Sequence, residues 1–156
     1  MLQIDEHSPQ VSFPPPLVFL GFLLLGLLAD RLLGLDYGAP AFVRIIGGIA
    51  VMVALGLIIV ALGLFRREST SPEPWKPSSA LVTSGIYRFT RNPMYLGMAL
   101  LHLGIAMMLA SPGAVVGLVL ALIVIGKFVI PREEAYLAET FKADYEAYRR
   151  KVRRWI

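Results

Sequence analysis

The chain has 156 residues, 56% of them hydrophobic and 17% charged, with a mean hydropathy of +0.66. Soluble domains carry about 45–50% apolar and about 25% charged residues, so the composition points to a membrane protein and excludes disorder, collagen and coiled coil. The absence of cysteine excludes disulfide scaffolds, thiol nucleophiles and cysteine metal sites, and the placement of the net charge of +4 matters more than its size.

The first sixteen residues carry Asp5 and Glu6 but no Lys or Arg, so the basic region of a secretory signal peptide is missing. The first apolar stretch, about residues 17–35, is therefore expected to remain as a span, led in by a stiff Pro14-Pro15-Pro16. Further stretches cover about residues 42–65, 93–110 and 114–130, each near the roughly 20 helical residues that cross a bilayer core. Ser111-Pro112-Gly113 is a turn signal that predicts a tight hairpin of the last two spans, and Pro131 is expected to end the fourth.

Of 15 Lys and Arg, only Arg31 and Arg44 flank the loop between spans one and two. Arg66, Arg67, Lys76, Arg88 and Arg91 lie between spans two and three. Arg132, Lys142, Arg149, Arg150, Lys151, Arg153 and Arg154 follow span four, with Lys127 near its end. The positive-inside rule then places both termini and residues 66–92 in the cytoplasm. The predicted fold is one all-α integral membrane domain over residues 1–156: four transmembrane helices, a cytoplasmic loop at 66–92 and an amphipathic tail helix at 132–154. A prokaryotic inner membrane suits so compact a chain.

Prolines 72, 74 and 77 make the first part of the loop irregular. Gly85 can supply a turn, and Asn92 before Pro93 forms a favoured helix start. Trp75, Tyr87 and Tyr95 fit an aromatic interfacial belt anchoring that start. In the tail, a helix restarts at Pro131, and Leu137, Phe141, Tyr148, Val152 and Trp155 make one apolar stripe that lies on the membrane surface or against the loop. Glu133 and Glu134 fall in its first turn, where the helix dipole favours anions. Their alternative reading is a boundary carboxylate that holds a cationic ligand. His102, about ten residues into span three, reads as a packed histidine bonded to a backbone carbonyl, with a functional role the alternative. Gly113, Gly117 and Ala121 read as a helix-packing ridge. Walker, Gly-x-Gly-x-x-Gly and His-Glu-x-x-His motifs are absent, and two distant histidines make no zinc site. Basic residues beside spans suit lipid headgroups rather than nucleic acid.

The run Leu81-Val82-Thr83-Ser84-Gly85-Ile86-Tyr87-Arg88-Phe89-Thr90-Arg91-Asn92-Pro93-Met94-Tyr95-Leu96-Gly97 resembles one signature of the isoprenylcysteine carboxyl methyltransferases and phospholipid N-methyltransferases. Glu133-Glu134-Ala135-Tyr136-Leu137, followed by Phe141, Tyr145, Tyr148 and Val152, resembles the second, in the same order. The resemblance covers roughly residues 62–154. It implies S-adenosylmethionine as cofactor, held in a cytoplasm-facing pocket beneath the loop and the C-terminal helix. The implied cofactor contacts are Ser79, Ala80, Leu81, Val82, Tyr87, Asn92, Pro93, Met94, Tyr95 and Glu133, with Glu134 and Arg91 beside them as the candidate catalytic pair. The carboxyl methyltransferases have His where this chain has Asn92 and Arg where it has Val129. The Gly-x-Gly of the phospholipid enzymes is missing. The cofactor half of the resemblance thus transfers better than the substrate half.

These residues suit methyl transfer. Glu133 can pair the cofactor's ammonium, Arg88 or Arg91 its carboxylate, and the rings of Tyr87 and Tyr95 its adenine or sulfonium. A carboxylate acceptor needs no base, whereas an ammonium acceptor does, and Glu134 or Tyr148 could serve. The expected partners are the bilayer and a lipophilic small-molecule acceptor reaching the site sideways from the lipid. An NADPH-dependent reductase, through a similar Arg-x-Pro-x-Tyr segment, and a non-enzymatic membrane protein are the alternatives.

Overall fold

A computed structural model describes residues 9, 11, 13–35 and 37–156. Asp5, Glu6 and His7 lie outside the described residues. The described residues are helical, with no strand: α1 Pro15–Leu32, α2 Ala41–Arg67, α3 Pro93–Met108, α4 Pro112–Val124 and α5 Ile130–Lys151. A 3-10 turn, Gly85–Arg88, precedes α3, and a π turn, Ile125–Val129, joins α4 to α5.

Three helical stretches, Pro15–Leu32, Ala41–Arg67 and Pro112–Lys151, are long and apolar enough to cross a membrane, and α3 is a shorter apolar helix. Their outer faces are exposed and aliphatic: Leu20, Leu24 and Leu28 on α1, Ile45, Ile49, Met52 and Ile59 on α2, Val116, Val119 and Ile123 on α4. Such a surface is unfavourable in water and natural in hydrocarbon, so this is an integral membrane protein.

Helices consecutive in sequence are the main neighbours in one case and not in the other. α1 lies along α4, α2 along α3, and α3 also touches α1 and α4. Lipid supplies no hydrophobic force to press helices together, so close backbone approach has to do it. Gly104 shows how: an added Cβ would sit 2.7 Å from the Gly47 carbonyl oxygen. Gly113 and Gly117 likewise face Gly26 and Phe22 of α1, and Ala121 is buried in the core.

Several boundaries differ from expectation, for local reasons. Pro15 and Pro16 begin α1 instead of preceding it, because a proline's missing N–H costs nothing in a first turn. The α3–α4 reversal occurs at residues 109–111, with Ala110 at φ 47°. Pro112 and Gly113 already belong to α4, and the Ser111 side chain accepts from Ala114 N. That end is locked by Asp30, which accepts from the Ser111 hydroxyl and, at 2.9 Å, from Gly113 N. His102 Nε2 donates to the Ala114 carbonyl at 2.9 Å.

The largest difference is at Pro131, which does not end the fourth helix. The π turn just before it widens the helix where the proline ring would meet the carbonyl four residues back. The chain stays helical into α5, so Glu133 and Glu134 do not sit at a free helix N-terminus and the dipole account of them fails. α5 breaks instead at Lys142 (φ 43°, ψ −116°) and ends at Lys151. The five residues of the expected apolar stripe therefore lie on three separate segments.

Candidate active site

α3 begins where the loop and α5 converge, and there the fold encloses a cavity with about 820 Å³ of empty space, part of it open to solvent. Gly85, at φ 58°, starts the 3-10 turn that swings Tyr87 inward. Pro93 starts α3, and α5 supplies Glu133, Glu134 and Leu137. Tyr87 and Tyr95 are only 5% and 6% exposed, so they are cavity walls and not interfacial belt residues. Asn92 holds the N-cap position without capping: its side chain donates to the Arg154 carbonyl at 2.9 Å.

The structure gathers Ala80, Leu81, Val82, Tyr87, Arg91, Asn92, Pro93, Met94, Tyr95, Glu133 and Glu134 around this cavity. Ser79 stands apart: it is exposed, its N–H bonds Thr70 Oγ1 at 2.9 Å and its hydroxyl the Ser69 carbonyl at 3.0 Å. The sequence reading missed the roof of Ser71, Pro72, Glu73, Pro74 and Ser78, and also Phe65, Pro9 and Tyr136. Ser78 N bonds Tyr136 Oη at 2.8 Å, tying the roof to α5. The spacing Glu133, Tyr136, Leu137 follows one helix face and was the available signal for Tyr136. No periodicity marks an irregular proline-rich roof.

Charges are divided unequally between the two acids. Glu134 is held by two guanidiniums: Oε1 accepts from Arg91 Nη1 (2.9 Å) and Arg154 Nε (3.0 Å), and Oε2 from Arg154 Nη2 (2.5 Å). Arg91 Nη1 also bonds Tyr145 Oη at 3.1 Å. Among the described residues Glu133 has no ion pair, only the Tyr95 hydroxyl at 2.6 Å. Desolvation pushes its carboxyl up to about 7; the Tyr95 bond opposes this and the nearby Glu134 charge adds to it.

The phenols stay protonated near neutral pH. Burial, then Tyr148 and Glu133, raises Tyr87, and burial raises Tyr148, which donates to the Tyr87 carbonyl at 2.7 Å. Glu134 and Tyr148 are thus committed to structure, which fits neither for proton removal. Two buried wall donors have no partner among the described residues, Tyr87 Oη and Arg91 Nε. A buried donor without a partner costs about 1–3 kcal/mol. Their placement, with an unpaired acid close by, suits a ligand carrying both signs of charge.

Fold and site together define an all-helical membrane protein with a buried, charge-bearing cavity at one end of its bundle. The phospholipid methyltransferase family profile matches residues 43–144. A probable protein-S-isoprenylcysteine O-methyltransferase of Oryza sativa subsp. indica is 30% identical over 137 residues, 85% of this chain and 71% of that protein. The protein-S-isoprenylcysteine O-methyltransferases of Schizosaccharomyces pombe and Saccharomyces cerevisiae are 44% identical over 75 residues and 39% over 112. These matches take 46% and 63% of this chain, and 30% and 46% of those proteins. No solved structure matches. The chain belongs to the phospholipid methyltransferase family, and its enzyme class is methyltransferase.

Proposed function

We propose that this protein transfers a methyl group from S-adenosylmethionine to a membrane-embedded amphiphile, a lipid or isoprenoid-type carboxylate or amine, at the cytoplasmic face of a prokaryotic inner membrane. The observation that carries this reading is the cavity's set of groups unmet among the described residues: the Glu133 carboxyl without an ion pair, and Tyr87 Oη and Arg91 Nε without a hydrogen-bond partner. S-adenosylmethionine, when bound, supplies an electrophilic methyl group and brings an ammonium and a carboxylate that complement these groups.

Glu133 would hold the ammonium, and Arg91 Nε with the Tyr87 hydroxyl the carboxylate, each bond strengthened by charge. The tyrosine rings at 87, 95, 145 and 148 give cavity walls that tolerate a cation. The residues 71–74 roof excludes water, and the walls orient the reactants, which is most of what a one-step displacement requires. Phe65 of α2 and Leu137 of α5 present apolar wall toward a lipophilic acceptor, and both helix ends adjoin basic segments that the positive-inside rule assigns to the cytoplasm.

Calorimetric titration of the protein in nanodiscs with S-adenosylmethionine, S-adenosylhomocysteine and NADPH tests the reading. Saturable binding of the first two and none of the third is expected, weakened by Glu133→Gln. Binding of NADPH alone would reverse it.

A further inference from the structure

Beyond α5 the chain turns extended at Val152 and runs back across the start of α3. Three bonds fasten it there: Arg91 N to the Arg153 carbonyl (3.0 Å), and Thr90 Oγ1 (3.2 Å) and Asn92 Nδ2 (2.9 Å) to the Arg154 carbonyl. Val152 is buried and Trp155 packs on the core cluster that contains Tyr95. The Arg154 side chain reaches the other way and grips both oxygens of Glu134. Residue 154 therefore holds one cavity residue, Asn92, together with its neighbour Thr90 by its carbonyl, and a second cavity residue, Glu134, by its guanidinium, although Arg154 itself does not line the cavity.

The geometry of the pair has a consequence for Arg91. A fork-to-carboxylate contact fixes the plane of Glu134, and Arg91 Nη1 shares the Oε1 that this fork orients. With Nη1 held by Glu134 and Tyr145, Nε, which has no partner among the described residues, is fixed in the cavity wall. Without Arg154, Glu134 would keep one guanidinium and regain rotational freedom, and Arg91 would move with it.

We propose that Arg154 is a positioning residue of the cofactor site: acting through Glu134 and through its own carbonyl, it sets Arg91 and Asn92, and the 152–155 strap is the element that delivers it. This rests on the methyltransferase reading. The chain has two tryptophans, so Trp75→Phe leaves Trp155 as the strap's reporter.

In that background, nanodisc-embedded protein is titrated with S-adenosylhomocysteine while acrylamide quenching of Trp155 is followed. Arg154→Gln is expected to raise the Kd about tenfold and increase quenching, with cooperative thermal unfolding retained. Arg154→Lys, which keeps the charge and loses the fork, falls between. Combining Arg154→Gln with Glu134→Gln is expected to weaken binding by less than the product of the separate effects. A Kd within twofold of the parent, or full multiplicativity of the two substitutions, overturns the proposal even if quenching changes. If the parent binds no S-adenosylhomocysteine, the methyltransferase reading fails and the cofactor-positioning proposal falls with it. The quenching arm then separates a strap that Arg154 holds from one that it does not.

Discussion

The Tyr95 hydroxyl, in the first turn of α3, donates a 2.6 Å hydrogen bond to Glu133 Oε1, in the first turn of α5. This bond joins the two signature segments and reaches the cavity acid that, among the described residues, has no ion pair. Removing water from the carboxyl without supplying a cation leaves it titrating near neutrality.

Glu133 should make ligand binding pH-dependent. Its folded-state value is raised from 4.5 to about 7, and an ammonium is held by the ionised form. Affinity for S-adenosylmethionine is expected to be roughly tenfold weaker at pH 6 than at pH 8, with a midpoint near 7. Calorimetry across that range checks it, and Glu133→Gln should flatten the profile.

The same shift acts on stability with the opposite sense. A raised carboxyl favours the folded state below its unfolded value, and that contribution is lost as pH rises through about 7. Ligand-free Glu133→Gln should therefore gain on the parent protein between pH 4.5 and pH 7.5, by up to about 3 kcal/mol. Thermal melts of both proteins at each pH measure the difference.

Gly85→Ala should distort the cavity from outside it. Residue 85 has φ 58°, and an added Cβ would lie 2.8 Å from Leu64 Cδ1. The combined strain should destabilise by about 1–3 kcal/mol and shift Tyr87, so both the melting temperature and cofactor affinity fall.

Ser111→Ala provides the converse case. It removes the cap on Ala114 N and the hydroxyl donor to Asp30, at the far end of the bundle. A loss of about 1–2 kcal/mol is expected from the missing cap and the unmet acceptor, with cofactor affinity unchanged by calorimetry.

Lys142→Gly should stabilise the protein. Lys142 adopts φ 43° and ψ −116°, a conformation that strains a side-chain-bearing residue by about 1–3 kcal/mol and that glycine reaches freely. After glycine's own entropic cost, a net gain of about 1 kcal/mol remains. Ala143→Gly, one residue on in helical backbone, should lose about 1 kcal/mol, and paired thermal melts separate the two.

The sequence by itself determined the membrane environment, the four apolar segments and the two polar segments that meet at the site. Hydropathy and proline or glycine punctuation are local properties, readable residue by residue. It also carried these residues of the cavity wall, because the motif residues are clustered along the chain: Tyr87, Arg91 and Tyr95 in one run, Glu133 and Glu134 in another. Tertiary structure decided which partners those residues have. Glu133 and Glu134 are adjacent and chemically identical, yet one is gripped by Arg91 and Arg154 and the other faces the cavity with a single phenol. That division depends on the π turn that carries the helix past Pro131, and on the break at Lys142 that lets the chain's end return to α3. Neither leaves a periodic trace, since a single wider turn or one unusual φ/ψ pair is chosen by packing between distant segments.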